Sequence, residues 1–114
     1  MRRGELYLAN LDKQVGSEQS GLRPVVILQN EKGNLHSPTT IICPITSKQK
    51  TEIITHVPIT PQDCDIMKDS IILCEQVRVI DKSRLIRKLG NINNQEIINT
   101  INHKLLISLG VKNE

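Results

Sequence analysis

Apolar and polar positions alternate in short segments along the first ninety residues of the chain. In residues 5–11, Leu6 and Leu8 alternate with polar neighbours, which is the period of a half-buried β-strand. Residues 23–30 form a continuous apolar run with Pro24 at its start, which predicts a strand buried on both faces. The chain is therefore predicted to begin with two strands joined by a polar loop at residues 12–22.

Further strand patterns follow a predicted turn at residues 31–34. They lie at residues 39–45, 52–59 and 69–80. In the last segment the apolar residues come first, and the polar side chains of Glu75, Gln76 and Arg78 follow them. One helical turn at residues 81–85 and a short strand at residues 86–89 complete this β-rich part.

The period becomes helical near the C-terminus. Asn93 is predicted to cap the helix, with Glu96 three residues on as in a capping box, and Gly110 to end it. The predicted apolar face consists of Ile97, Ile98, Ile101, Leu105 and Leu109. The whole pattern predicts a mainly β fold with α: a small, mostly antiparallel barrel with a C-terminal helix packed against it.

Composition narrows the possible functions. A length of 114 residues without repeats or linkers predicts one domain, residues 1–114. The chain has 17 Ile but no Phe or Trp, and Tyr7 is its single aromatic residue. Because RRM and OB modules hold single strands largely by stacking bases on aromatic rings, this composition argues against those modules.

Charge and cysteine content add two expectations. The net charge of +3 permits a polyanionic partner. No segment approaches the ~20 apolar residues of a membrane span, and no apolar region follows the N-terminal charges, so we expect a cytoplasmic protein without membrane contact. Cys43, Cys64 and Cys74 lack CxxC spacing, which predicts reduced thiols and neither a disulfide nor a metal site.

Common catalytic motifs are missing from the sequence. It has no GxSxG, HExxH, P-loop or GxGxxG motif, and no two of its three histidines are placed as an acid–base pair. Polar residues instead concentrate at residues 16–24, at Thr46 and at residues 75–78. On composition alone, Arg23 could equally form an ordinary ion pair with Glu18 or Glu75.

Several blocks of the chain resemble the MazF/PemK-type endoribonuclease toxins, and most closely their Gram-positive branch. The matching blocks are RGELY at residues 3–7, GSEQSGLRPVVILQN at 16–30, the turn at 33–39, Ile45-Thr46, LCEQVRVIDKSRL at 73–85 and ISLG at 107–110. The GSEQ…G.RP loop together with EQ.R.ID is highly specific, and the blocks cover nearly the whole chain in the order and spacing of the family.

The resemblance implies a small SH3-like β-barrel of the PemK/CcdB type with a C-terminal helix. It further implies a homodimer that cuts single-stranded mRNA at a short motif, such as UACAU, without a metal ion or other cofactor. Arg23 and Thr46 match the catalytic pair of the family. A cognate MazE-like antitoxin is the expected protein partner. The alternative is a non-catalytic toxin resembling CcdB, which traps DNA gyrase and does not need Arg23.

Such a site can work with the ribose 2′-OH as nucleophile, leaving a 2′,3′-cyclic phosphate and a 5′-OH. The guanidinium of Arg23 is a permanent, bidentate phosphate ligand, and the Thr46 hydroxyl adds a hydrogen bond. Since arginine is a poor proton acceptor, we expect water or Glu18 to take the proton. The candidate RNA-binding residues are Ser17, Gln19, Asn30, Gln76 and Arg78, with Lys48, Lys50 and Lys68 as additional cations.

Overall fold

The computed structural model describes residues 1–47 and 52–113. Within them the strands are β1 (Glu5–Asn10), β2 (Leu22–Ile27), β3 (Thr39–Thr46), β4 (His56–Ile59), β5 (Ser70–Leu73), β6 (Arg78–Asp81) and β7 (Leu85–Asn91). The helices are α1 (Glu31–His36) and α2 (Gln95–Ser108), and two 3₁₀ turns lie at Cys74–Gln76 and Lys82–Arg84.

The strands form an antiparallel sheet in the order β4-β5-β3-β2-β1-β7. The long strand β3 pairs with two strands along one edge. Its first half pairs with β6, and its last two residues pair with β5. The sheet is barrel-like without being closed. The predicted mainly β fold with a C-terminal helix is thereby confirmed.

The sheet has an apolar cluster on each of its faces. The larger cluster contains Val26, Ile45, Ile72 and Ile101 of α2, and the smaller one contains Val25 and Ile27 among its members. Successive residues of β2 therefore enter different clusters, since side chains of a strand alternate between its faces. Val25, Val26 and Ile27 are all fully buried, which confirms the predicted strand with two buried faces.

The predicted alternation in the first strand is wrong beyond Leu6. Leu6 and Ala9 are the fully buried residues of β1, whereas Leu8 is half-buried. The register between β1 and β7 shifts twice, between Leu6 and Tyr7 and between Leu8 and Ala9. Such β-bulges change which side chains reach the core, and a simple period of two does not anticipate them.

The second predicted strand ends three residues early, at Ile27. The predicted turn after it is the first part of α1. The Asn30 side chain causes this difference, because its Oδ1 accepts a hydrogen bond of 2.8 Å from the Gly33 backbone N–H and so caps the helix.

The apolar run at residues 69–80 is two strands rather than one. The 3₁₀ turn at Cys74–Gln76 separates β5 from β6. It is held by hydrogen bonds from Cys74 N–H to Thr55 O (3.2 Å) and from Val77 N–H to Cys74 O (3.3 Å).

The bounds of other elements also differ from the prediction. Strand β4 covers only the second half of the predicted segment 52–59, while β7 is longer than predicted. The predicted helical turn at 81–85 is present as 3₁₀ turn Lys82–Arg84.

Helix α2 packs its Ile101 into the larger cluster, as the helical period predicts. Its cap is Asn94 rather than Asn93, since Asn94 Oδ1 accepts from Glu96 N–H at 3.0 Å while the Asn93 N–H donates to Asp63 O. Gly110 follows the helix at φ +74°, but Leu109 is 64% exposed and does not belong to the buried face. Neither helix of the described chain has the length and apolar character needed to cross a membrane.

The three cysteines are free and buried, as predicted. A hydrogen bond with Cys74, together with burial, raises the pKa of the Cys43 thiol. Burial and the neighbouring carboxylates of Asp63 and Asp65 raise the pKa of Cys64 to about 11. The thiols of Cys43 and Cys64 therefore stay protonated at neutral pH and are packing groups rather than nucleophiles.

Candidate functional site

The loop between β1 and β2 is closed at its base by two backbone hydrogen bonds. Leu11 N–H donates to Gly21 O (2.9 Å), and Gly21 N–H donates to Asp12 O (3.0 Å). Gly21 has φ +75°, a left-handed conformation that favours glycine. The closure fixes where the chain re-enters the sheet, and Arg23 lies two residues later at the start of β2.

Arg23 and Thr46 lie at the same end of the neighbouring strands β2 and β3. The ladder between these two strands ends at the pair Val25–Pro44, so each of the two residues lies two positions beyond it. Thr46 is almost fully buried and also pairs with Ile71 of β5, so a rigid part of the sheet holds it.

The guanidinium of Arg23 is oriented by its own loop. Its Nε donates a hydrogen bond of 2.9 Å to Ser20 O. This bond uses one of the five N–H donors of the group, and the four on the terminal nitrogens can serve an anion. Arg23 lines a cleft of about 720 Å³, the large cleft, whose other walls include Leu22, Pro24, Ser47, Lys68 and Arg87. The side chain is half-buried, which favours a strong contact with phosphate.

A second cleft of about 280 Å³, the loop cleft, lies between the β1–β2 loop and the 3₁₀ turn Cys74–Gln76. Gln76 joins these two segments, because its Oε1 accepts from Gln19 N–H at 2.8 Å and its Nε2 donates to Ser17 O at 3.2 Å. Three of the predicted RNA-binding residues therefore lie in contact. The walls of the loop cleft include Gln14, Glu18, Gln19, Glu75, Gln76 and Arg78.

Two polar atoms on residues of the loop cleft have no internal partner. Gln19 Oε1 and Arg78 Nη1 are buried and form no hydrogen bond within the described part of the chain. An unsatisfied buried polar group costs about 1–3 kcal/mol. Unpaired buried polar atoms in native proteins are accounted for by ordered water, an ion or a functional role, so this cleft is a candidate binding site.

The acidic residues near this cleft have different surroundings. Glu18 is exposed, whereas the Glu75 carboxylate is held by the Thr55 hydroxyl and by His56 Nε2, each at 3.1 Å. Within residues 1–47 and 52–113, neither acid forms an ion pair with Arg23, so the alternative of a surface ion pair is not supported. The same residues contain no group of three His, Cys, Asp or Glu side chains that could hold a metal ion.

Other predicted residues lie elsewhere. Asn30 is at the opposite end of β2 from Arg23, where its side chain caps α1. Lys68 lines the large cleft, whereas Lys48 and Lys50 lie outside the described residues. Sequence reasoning missed Arg87 of β7, which also lines the large cleft. No local motif marks this arginine, and only the strand order brings it near Arg23.

Comparisons with known proteins identify the family of the chain. The family model for the PemK-like, MazF-like toxins of type II toxin–antitoxin systems matches residues 2–109. An endoribonuclease MazF from Staphylococcus saprophyticus is 47% identical over 112 residues, which cover 97% of this chain and 92% of that relative. The crystal structure of MazF from Deinococcus radiodurans has a TM-score of 0.82 at 25% identity and covers 96% of both chains. A MazE–MazF structure from the same organism has a TM-score of 0.76 at 25% identity, covering 98% of this chain and 97% of that one.

Proposed function

The chain belongs to the family of PemK-like, MazF-like toxins of type II toxin–antitoxin systems, and from this premise we propose that it cuts single-stranded mRNA at a short motif. It is an endoribonuclease, like the staphylococcal MazF with which it shares 47% of its residues. A MazE-like antitoxin is its protein partner, as in the MazE–MazF complex of Deinococcus radiodurans. The observation that supports the proposal is Arg23 in the wall of a cleft, with Thr46 at the same end of the neighbouring strand β3.

The reaction uses the ribose 2′-OH next to the scissile phosphate. The 2′-oxygen loses its proton and forms a bond to phosphorus while the bond from phosphorus to the 5′-oxygen breaks. The leaving 5′-oxygen takes up a proton from water, so the products are a 2′,3′-cyclic phosphate and a 5′-OH. Because the nucleophile belongs to the substrate, the step needs alignment and charge stabilisation and does not need a metal-bound water. Arg23 supplies the charge at the phosphoryl oxygens, and the Thr46 hydroxyl donates a hydrogen bond to the same group.

The 2′-OH proton needs an acceptor other than Arg23, because the arginine guanidinium has five hydrogen-bond donors and no acceptor. We assign this role to Glu18 or to a water beside it, since Glu18 is exposed within the loop that precedes Arg23. The carboxylate of Glu75 is less suited, because Thr55 and His56 already occupy both of its oxygens.

Recognition of the RNA sequence falls to the loop cleft. Ser17, Gln19, Gln76 and Arg78 supply amide, backbone and guanidinium groups that can read the edges of unstacked bases. With so few aromatic residues, hydrogen bonds and backbone charge replace stacking as the main source of affinity. From the resemblance to the Gram-positive branch, we propose that the recognised motif is a UACAU-like pentamer and that the enzyme is a homodimer.

The test is cleavage of a long unstructured RNA in excess EDTA, with the cut positions mapped by primer extension. We expect cuts at one short motif. Arg23→Ala lowers the cleavage rate about 10²–10³-fold, as loss of one charge-stabilising donor does in other enzymes. A deoxyribose on the 5′ side of the cut abolishes cleavage, and Glu18→Gln slows it at neutral pH.

Arg2→Ala is the matched control, because Arg2 is exposed near the N-terminus and does not line either cleft. Full activity of folded Arg23→Ala protein contradicts the assigned catalytic role. A folded wild-type protein that cuts no RNA contradicts the nuclease function and favours the gyrase-binding alternative.

A further inference from the structure

We propose that Arg87 and Lys68 bind a second phosphate of the RNA, adjacent to the scissile one, in the part of the large cleft beyond Arg23. This inference rests on the proposed function and adds a positioning site to it. Both residues line the same cleft as Arg23. Neither is needed for the chemistry at the scissile phosphate, so their contribution is to hold the strand in register.

The strand pairing fixes where Arg87 lies. Leu8 of β1 pairs with Pro24 of β2 on one side and with Arg87 of β7 on the other. Since neighbouring strands are about 4.8 Å apart, the Cα atoms of Pro24 and Arg87 are about 10 Å apart, and their side chains leave the same face of the sheet. Arg87 therefore lies two strands from β2 on the face of Pro24, and the lining of the large cleft shows that it shares this cleft with Arg23.

The charge in the large cleft favours an anion. Its walls carry three cations, Arg23, Lys68 and Arg87, against the single carboxylate of Asp65. That carboxylate is directed to the backbone of β7, because its Oδ2 accepts a hydrogen bond of 2.9 Å from Asn91 N–H. The remaining field in the cleft is positive and attracts a polyanion.

Arg87 differs from its neighbour Lys88 in how its charge is used. Lys88 Nζ forms an ion pair with Glu5 at 2.7 Å. Within the described ranges, 1–47 and 52–113, Arg87 takes part in no ion pair, and its side chain is exposed at the cleft. A planar guanidinium free to form two parallel hydrogen bonds suits a phosphate.

The apolar walls of the cleft suit the other parts of a nucleotide. Leu22, Ile66 and Leu89 line it between the cations. They offer the ribose and base an apolar surface without aromatic stacking, while the cations contact the backbone. An RNA strand fits better than an acidic protein segment alone, because the cleft is continuous with Arg23, where the scissile phosphate lies.

The experiment measures binding of an RNA whose cut site carries a 2′-deoxyribose, so that the strand is held but not cleaved. Fluorescence anisotropy is followed between 50 and 300 mM salt for wild type, Arg87→Gln and Lys68→Gln. Each substitution removes one phosphate contact, so we expect the slope of log affinity against log salt to fall in magnitude by about 0.7. With the cleavable RNA, we expect KM to rise severalfold with kcat nearly unchanged.

Matched controls remove the same charge elsewhere. Arg2→Gln and Lys32→Gln change exposed cations that do not line the large cleft, and we expect the wild-type slope for both. A single methylphosphonate, moved along the RNA, then locates the contact. At the phosphate next to the scissile one it weakens binding to wild type, but has little further effect on Arg87→Gln.

Several outcomes overturn the inference while leaving the nuclease intact. The first is a wild-type salt slope in both Arg87→Gln and Lys68→Gln. The second is that the methylphosphonate and Arg87→Gln weaken RNA binding additively at every position of the methylphosphonate. The third is that the two substitutions weaken antitoxin binding and leave RNA binding unchanged. Failure of the wild-type protein to bind or cut any RNA is a different result, and it contradicts the proposed function itself.

Discussion

The β1–β2 loop and the strands that it joins are held in place by different forces. Val25 and Val26 of β2 are fully buried, whereas Val15 in the loop is 80% exposed. The strands are positioned by packing on both faces of the sheet, and the loop by a few hydrogen bonds such as those of Gln76. Arg23 lies where the two regions meet. Stability and activity should therefore respond to different substitutions.

The largest effect is expected on the free energy of unfolding, from a substitution in the core. Ile72→Ala removes a fully buried side chain from the larger cluster, and we expect the free energy of unfolding to fall by about 2–5 kcal/mol. Urea denaturation measures it. Ile86→Ala is the matched control, since Ile86 is 53% exposed and should change stability by less than about 0.5 kcal/mol.

Activity per folded molecule should be unchanged in both variants. Loss of cleavage by Ile72→Ala protein that is still folded at the assay temperature would show that core and loop are coupled, and the separation of the two regions would then be wrong.

A smaller effect is expected in the loop, where the substitution lowers activity more than stability. Gln76→Ala frees Ser17 O and Gln19 N–H from their shared partner, which makes the loop more mobile. We expect kcat/KM for RNA to fall by about 5–30-fold, and the free energy of unfolding to fall by no more than the roughly 1–2 kcal/mol of the lost bonds. Hydrogen exchange of the Gln19 amide should accelerate in parallel.

Gln62→Ala provides the control for this substitution, because Gln62 is exposed and lines neither cleft. If Gln76→Ala weakens cleavage without faster exchange at Gln19, Gln76 contacts the RNA directly and does not act by holding the loop.

The strands themselves were largely predictable, because burial on one or both faces leaves a periodic signal. The continuous apolar run of β2 correctly predicted two buried faces. The run at residues 69–80 carried no local sign of its interruption, since the 3₁₀ turn depends on Cys74 N–H reaching Thr55 O, far away in sequence. Tertiary hydrogen bonds of this kind override local propensity.

The site was predictable to a different extent. Family resemblance singled out Arg23 and Thr46, and the structure adds that both lie at the same end of the neighbouring strands β2 and β3. Ser17, Gln19 and Gln76 were named one by one, but their mutual hydrogen bonds could not be predicted from residue types. Arg87 had no signal at all, because it approaches Arg23 only through the intervening strand β1.

The smallest effect concerns Asn30, which the sequence predicts as an RNA contact and the structure places at the cap of α1. Asn30→Ala removes the bond to Gly33 N–H, and we expect a loss of about 1 kcal/mol in unfolding free energy with unchanged RNA cleavage. Asn94→Ala is the matched control, because it removes the cap of α2 in the same way. If the two variants lose similar stability but only Asn30→Ala loses cleavage, the Asn30 amide contacts RNA, and the functional surface extends from the loop to the far end of β2. If both variants cleave RNA equally well, the functional surface is limited to the end of the sheet where Arg23 lies. The reason is that a side chain occupied in capping a helix has little capacity left to bind a base.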